Sequence, residues 1–444
     1  MQSAEISAKG LTKKQAEKFG RPVMGVLLLL AWGHLVTDMA QGALPALLPV
    51  LKQVFSLNYA QTSLLVLVSN IASSVIQPVF GLFADRRPAR WLLPIGCLVA
   101  GVGLAATGWL PVFGWLLLAV GISSLGVAAY HPEGSRVANL ASGMRKGSGM
   151  AVFSVGGNLG FGLGSLYMAW LLTVGGHRAT YYFIFPGLFT ALILLGCLSR
   201  FASPGTSRTG LDPARRADRT AEENPAASKP GSAVSGPLYN PGDGAGTRTA
   251  GNKKVLTAFV LLIVYITFRT WLHAGLYTYI PLYYTDYLHV NAHAAGYFVS
   301  VFLLAGAVGT LIGGPLTDVL GAPRVMAGSM ALLVPLLYLF RHTGGGPAGL
   351  VVLAFIGAAL ISTFSTTIIM GQELLPARKG LASGFTIGFG VGMGGVGVTL
   401  LGVLADHLGV PAVFGALNII AVAGLLLALV LSRRFPRQAQ GQEL

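Results

Sequence analysis

Apolar runs of about 20 residues recur along this chain, separated by short polar or glycine- and proline-bearing breaks. A helix rises about 1.5 Å per residue, so each run is long enough to cross the roughly 30 Å hydrocarbon core of a bilayer. The pattern predicts spans near Val23–Val50, Tyr59–Ala84, Trp91–Leu110, Val112–Ala129, Gly149–Val174 and Tyr181–Ser199. Six more are predicted near Val255–Ile280, Gly296–Leu316, Val325–Phe340, Leu350–Met370, Leu381–Leu404 and Ala412–Leu431. The expected fold class is an all-α polytopic membrane protein of twelve transmembrane helices in two six-helix halves. The first 20 residues are polar and basic with no small-residue cleavage site, so the run from Val23 is expected to be a true span rather than a signal peptide.

The two sets of six are separated by a stretch rich in Gly, Pro, Ser and charge, which lacks apolar periodicity and reads as a disordered cytoplasmic linker. The expected organisation is a tail over 1–21, a first bundle over 22–200, the linker over 201–253, a second bundle over 254–432 and a tail over 433–444. The bundles read as copies. An offset of 233 carries Gly81 and Asp85 onto Gly314 and Asp318, and Arg145-Lys146-Gly147 onto Arg378-Lys379-Gly380. It also carries Gly42 onto Gly275, and Gly157, Gly162 and Gly164 onto Gly390, Gly395 and Gly397. Parallel repeats of this kind point to a site between the halves near mid-membrane and to alternating access.

Composition agrees with a membrane setting: of 444 residues 53% are hydrophobic and only 10% charged, against about 25% charged in soluble domains. The formal charge of +15 suggests nucleic acid until its placement is considered. With the N-terminus inside, 25 of the 30 basic residues fall in inner loops and tails, and only Lys52, Arg178 and Arg341 fall outside. This asymmetry predicts both termini in the cytoplasm and leaves no need for a nucleic-acid partner. Cys97 and Cys197 lie in apolar runs with no metal spacing and are expected to be packing residues.

The Gly-x-x-x-Asp-Arg stretch in "QPVFGLFADRRPAR", echoed in "IGGPLTDVLGAPR", resembles the signature loop of the major facilitator superfamily. Within it, "DMAQGALPALLPVLKQVFSLNYAQTSLLV", "YHPEGSRVANLASG", "SVGGNLGFGLG" and "GQELLPARKGLASGFTIGFGVGMGGVG" resemble the fosmidomycin resistance protein family of bacterial drug exporters. The resemblance implies the major facilitator fold in a bacterial inner membrane and proton-driven export of small anionic or amphipathic compounds. The chain departs from relatives at Gly164-Ser165, where a Gly-Pro pair is usual, and at Pro88, where glycine is common. Gly81, Asp85, Arg86 and Arg90, with Gly314, Asp318 and Arg324, are the expected gating loops.

An ionisable group deep in the bilayer costs at least about 2.5–3.5 kcal/mol and so needs a pathway, a partner or a task. Asp38 lies near the midplane of span 1, with His34 and Gln41 one turn away on the same face. Arg269 sits at similar depth in span 7, followed by His273 and Tyr277 at four-residue steps. One reading has the two faces meeting across the cavity, Arg269 engaging an anion and Asp38 coupling protons; the other is a permanent Asp38–Arg269 ion pair. In "AAYHPEGSRVANLASG", Glu133 and Arg136 share a helix face and are expected to pair, either as a proton-responsive unit or as a membrane-edge salt bridge. Metal binding at this His-Pro-Glu segment is not expected, because no third or fourth ligand is nearby in sequence. Gln372 and Glu373 are expected to pair structurally beside Arg378. Ser362, Ser365, Thr366 and Thr367 line the wall of span 10, some facing the cavity and others bonding their own helix.

The glycine chains of spans 5 and 11 are expected to let helices approach closely; no strand precedes them and no Lys-Ser/Thr follows, so they are not nucleotide loops. No cofactor is called for. The expected partners are a small, anionic substrate, protons and the lipid bilayer. An uptake symporter for an anionic metabolite is the alternative, with a membrane sensor or enzyme more remote. No nucleophile–base–metal constellation or ATPase motif is present to support an enzyme or an ATP-driven pump.

Overall fold

A computed structural model describes residues 22–86, 89–143, 146–197, 245–343, 345–375 and 384–434. The N-terminal tail, the linker as far as residue 244, Arg378, Lys379 and the last ten residues lie outside these. The regular elements among the described residues are all helical. The first six spans are α1 (Met24–Val54), α2 (Tyr59–Ser74, continued by Gln77–Arg86), α3 (Leu92–Ala106), α4 (Phe113–Ala141), α5 (Lys146–Gly175) and α6 (a 3-10 segment His177–Phe183 leading into Ile184–Gly196). The second six are α7 (Ala245–Asp286), α8 (Ala295–Leu320), α9 (Ala322–Thr343), α10 (Pro347–Ile361, continued by Phe364–Leu374), α11 (Gly390–Leu408, preceded by a π-helical turn Gly384–Phe389) and α12 (Val410–Arg434). Eleven helical stretches are long and apolar enough to cross a membrane, and α3 is a shorter apolar helix.

Several boundaries differ from the apolar pattern for local reasons. Span 2 breaks after Ser74, whose hydroxyl donates to the Asn70 carbonyl at 2.5 Å, and Pro78 then removes a backbone donor. Span 10 breaks at Ser362 and Thr363, which donate to the carbonyls of Ala359 (2.8 Å) and Leu360 (2.9 Å). Thr367 bonds its own helix in the same way, whereas Thr366 reaches Thr317 of α8 at 2.7 Å. Conversely α4 runs through Pro132 to Ala141, which carries Glu133 and Arg136 into the helix proper.

The α1–α5 contact organises the first half. Gly156, Gly160 and Gly164 recur every fourth residue on α5, and a Cβ on any of them would run into the backbone carbonyls of Ala31, Leu35 and Met39 respectively. Two backbones touch along three turns, as in small-residue helix pairs of membranes. A Gly160→Val substitution is therefore expected to destabilise the folded protein by at least about 1–3 kcal/mol, read as a lower melting temperature in detergent.

The 233-residue repeat holds in space. Gly164 of α5 backs onto Met39 of α1, and Gly397 of α11 backs onto Trp271 of α7. Gly162 faces Leu304 of α8, and Gly395 faces Leu67 of α2. These last two contacts join the N-terminal six helices to the C-terminal six.

The polar contacts between the two sets gather at the end of the molecule away from the start of α1, here the far end. Lys52 Nζ at the end of α1 lies 3.2 Å from Asp286 Oδ2 at the end of α7, and the Tyr59 hydroxyl donates to the same oxygen at 2.8 Å. Asp406 of α11 accepts from the backbone N–H groups of Tyr59 (2.7 Å) and Ala60 (3.0 Å), so it caps the first turn of α2 from the other half. Asn58 and Gln61 complete that turn with a reciprocal capping box. Deeper in, Ser63 bonds Tyr279 at 2.6 Å and Asn70 donates to Tyr277 at 3.1 Å. Removing a cap costs about 0.5–2 kcal/mol. Asp406→Ala is thus expected to open the far end more often, raising the alkylation rate of a cysteine placed at Ser63 by about three- to tenfold.

Candidate functional site

Asp38 lies on α1 one turn after His34, and both face α4. The His34 Nε2 is 3.3 Å from Asp38 Oδ2, His131 Nε2 is 3.2 Å from Asp38 Oδ1, and the two Nε2 atoms are 3.0 Å apart. The other nitrogen of each ring is committed: His34 Nδ1 lies 2.8 Å from the Phe153 carbonyl, and His131 Nδ1 lies 2.8 Å from the Val127 carbonyl. A carbonyl only accepts, so both Nδ1 atoms carry hydrogen, and a neutral imidazole then keeps a lone pair on Nε2. Two lone pairs and a carboxylate thus converge on one point. A cation at that point would be held by all three groups.

The surroundings hold this geometry. Phe153 stacks on His34 with centroids 4.2 Å apart, and the buried Tyr130 hydroxyl donates to the Leu30 carbonyl at 2.7 Å. Gly157 of α5 forms the back wall: a Cβ there would meet the His34 ring and come within 2.8 Å of Asp38 Oδ2. The side chains of His34, His131 and Asp38 are 10%, 22% and 14% exposed.

Glu133 and Arg136 pair as their spacing predicts, with Arg136 Nε donating to Oε2 at 2.8 Å and Nη2 to Oε1 at 2.5 Å. Glu133 is fully buried while Arg136 is 29% exposed on its side chain. Gln41 donates to Ser73 at 3.2 Å.

Arg269 of α7 is 3% exposed, and its Nε has no hydrogen-bond partner. Its guanidinium carbon lies 5.3 Å from the centre of the Phe364 ring. The permanent Asp38–Arg269 ion pair is not formed: Asp38 is held by the two histidines of its own half, and Arg269 has no carboxylate within 4.0 Å among the described residues. His273 packs against Tyr277, Phe302 and Phe161, and Tyr277 is engaged by Asn70 across the halves. The position equivalent to Asp38 is Trp271, so the two halves differ in the chemistry they bring to mid-depth.

At the tail end, a Cβ on Gly81 would lie 3.9 Å from Pro132 Cβ, one on Gly314 would meet nothing, and Asp318 and Arg324 are exposed. Arg90 Nε is buried without a partner, while the side chains of Asp85 and Arg86 lie outside the described residues, as does Arg378, the expected neighbour of Glu373.

Sequence spacing missed His131. No ligand lies near it in sequence, yet folding supplies two from α1, 97 and 93 positions away, which corrects the expectation that its surroundings lack further ligand groups. The far-end residues Lys52, Asp286 and Asp406 were also absent from the expected site.

A family model described as Major Facilitator Superfamily matches residues 30–394 and 274–443. The fosmidomycin resistance protein of Escherichia coli (strain K12) is 32% identical over 406 residues, covering 91% of this chain and 92% of the relative. An MFS-type transporter of Bacillus subtilis (strain 168), YfnC, is 32% identical over 419 residues, covering 94% and 96%. Among solved structures, a bacterial homologue of the human lysosomal transporter Spinster, inward-facing and occupied, superposes with a TM-score of 0.71 at 14% identity over 93% of this chain and 97% of that one. A D-xylose–proton symporter gives 0.67 at 16% identity, over 93% and 98%. With twelve helices in this arrangement and a family match along nearly the whole chain, the protein is a multi-span membrane transporter, not an enzyme, and belongs to the major facilitator superfamily.

Proposed function

We propose that the chain is a proton-coupled exporter of small anionic or amphipathic compounds, fosmidomycin among them, working by alternating access between bundles 22–200 and 254–432. The observation that carries this reading is a division of charge. The C-terminal half holds a buried arginine with no carboxylate within 4.0 Å among the described residues, and the N-terminal half holds a carboxylate and two imidazoles that converge on one point. Arg269 takes the anionic group of the substrate, since a guanidinium fork matches phosphonate or carboxylate oxygens. The His34–Asp38–His131 cluster takes the proton. His273, Gln41 and Tyr277 shape the cavity beside them. Glu133 and Arg136 form a second proton-responsive unit, because protonating the carboxylate releases the arginine fork. The loops around Gly81–Arg90 and Gly314–Arg324 govern closure at the tail end, which the positive-inside asymmetry places in the cytoplasm. The identity to the E. coli fosmidomycin resistance protein supports outward transport.

One observation favours the uptake symporter as second reading. Opposite charges in one cavity attract, so a proton on the cluster and an anion on Arg269 stabilise each other and tend to travel together. Direction of flux separates the two. Bacteria expressing the protein are expected to survive more fosmidomycin than cells with empty vector; greater sensitivity instead would identify uptake and reject export.

A further inference from the structure

The three groups that converge on Asp38 have the chemistry of a metal site as well as of a proton site. Two imidazoles and one carboxylate are a common ligand set for Zn²⁺, and imidazole donors select borderline transition ions over Mg²⁺ or Ca²⁺. The two Nε2 atoms stand 3.0 Å apart, each faces a different Asp38 oxygen (Oδ2 at 3.3 Å from His34, Oδ1 at 3.2 Å from His131), and one ligand atom from each residue lies within 4.8 Å of the others, a spread that one ion draws together. Ligands about 2.1 Å from one tetrahedral centre stand roughly 3.4 Å apart. The outer partners match too. Metal-bound histidines as a rule donate their second ring N–H to a carbonyl or carboxylate, and here both Nδ1 atoms face backbone carbonyls, those of Phe153 and Val127. Those carbonyls fix the tautomer in which both Nε2 lone pairs are free to bind.

The His131 and Asp38 side chains keep 22% and 14% of their surface exposed. Glu133, two residues after His131, is spent on Arg136 and does not compete for the ion.

We propose that His34, Asp38 and His131 bind one divalent transition-metal ion of the Zn²⁺ class, a reading that follows from the ligand geometry alone.

The test titrates Zn²⁺ into detergent-purified, tag-free full-length protein by calorimetry, with Co²⁺ as a second probe whose visible absorption reports tetrahedral N/O ligation. The wild type and Glu133→Gln are expected to bind one equivalent. His131→Gln and Asp38→Asn are expected to bind roughly a hundredfold more weakly or not at all, since even outer-partner changes cost 10–100-fold. Gly157→Ala keeps all three ligands but crowds the His34 ring, and is expected to lose the tetrahedral Co²⁺ spectrum. Monodisperse elution of each variant separates lost binding from lost fold. If wild type and His131→Gln bind Zn²⁺ equally, or neither binds, the metal site is overturned, whatever transport assays show. If Zn²⁺ binds as expected but proton-driven fosmidomycin transport continues unchanged, the metal site stands while the proton role of this cluster fails.

Discussion

Asp38→Asn is expected to bring proton-driven fosmidomycin transport down to the level of membranes lacking the protein, while the variant folds and still exchanges labelled for unlabelled substrate without a gradient. The reason lies in what each side chain offers the two histidines. The carboxylate only accepts, so the paired Nε2 lone pairs of His34 and His131 require an added proton. An asparagine amide is uncharged and offers an N–H to one ring and a carbonyl oxygen to the other, so the negative charge that draws in the added proton is gone. Any proton that did bind would be an unpaired charge inside the bundle, costing about 2.5–3.5 kcal/mol or more and lowering occupancy about a hundredfold. Substrate exchange asks nothing of this cluster and so survives. Vesicle flux measured with and without a pH gradient reads both halves of the result; full proton-driven transport by Asp38→Asn removes the carboxylate from the coupling mechanism.

Arg269→Ala is expected to behave in the opposite manner towards stability and function. A buried guanidinium with no carboxylate partner among the described residues is costly to the folded protein, and the contact over Phe364 recovers only about 0.5–2 kcal/mol. Its removal should leave the melting temperature unchanged or higher. Substrate binding loses a charge-assisted pair worth about 3–5 kcal/mol, hence a drop in affinity of about two to three powers of ten. Arg269→Lys keeps the charge but not the planar fork and should fall between. Were Arg269 a structural residue, alanine would lower the melting temperature and leave the affinity for fosmidomycin nearly intact. Thermal melts with and without the drug decide between these outcomes.

Much of this was legible in the chain. Spacing within one helix was a sufficient guide wherever both partners lie on it: His34 with Asp38, and Glu133 with Arg136, meet because residues three or four apart share a face. Arg269 stood out as a lone cation at bilayer depth. His131 did not, because its contact with α1 depends on the angle at which α4 crosses, and no periodicity encodes that angle. A second histidine just past the predicted end of span 4 was the available signal. The seal of Lys52, Asp286 and Asp406 was hidden for another reason: charges near span ends read as topological markers until the tertiary structure shows them joined across the halves. Spacing alone makes Gly157 one of several close-approach glycines, whereas in the structure it is the wall that gives His34 and Asp38 their room.

The glycines of α5 have a mechanical consequence. One edge of this helix, Gly156, Gly160 and Gly164, is meshed with α1 carbonyl by carbonyl, and another, Gly162 and Ala169, bears on Leu304 and Gly296 of α8. There is no cushion of flexible side chains on the first edge to absorb a displacement. When α8 turns against α5, the motion reaches α1 with little backlash. His34 and Asp38 are mounted on that gear, so the last step of any such motion, from α5 to the helix that carries them, is spanned by backbone alone.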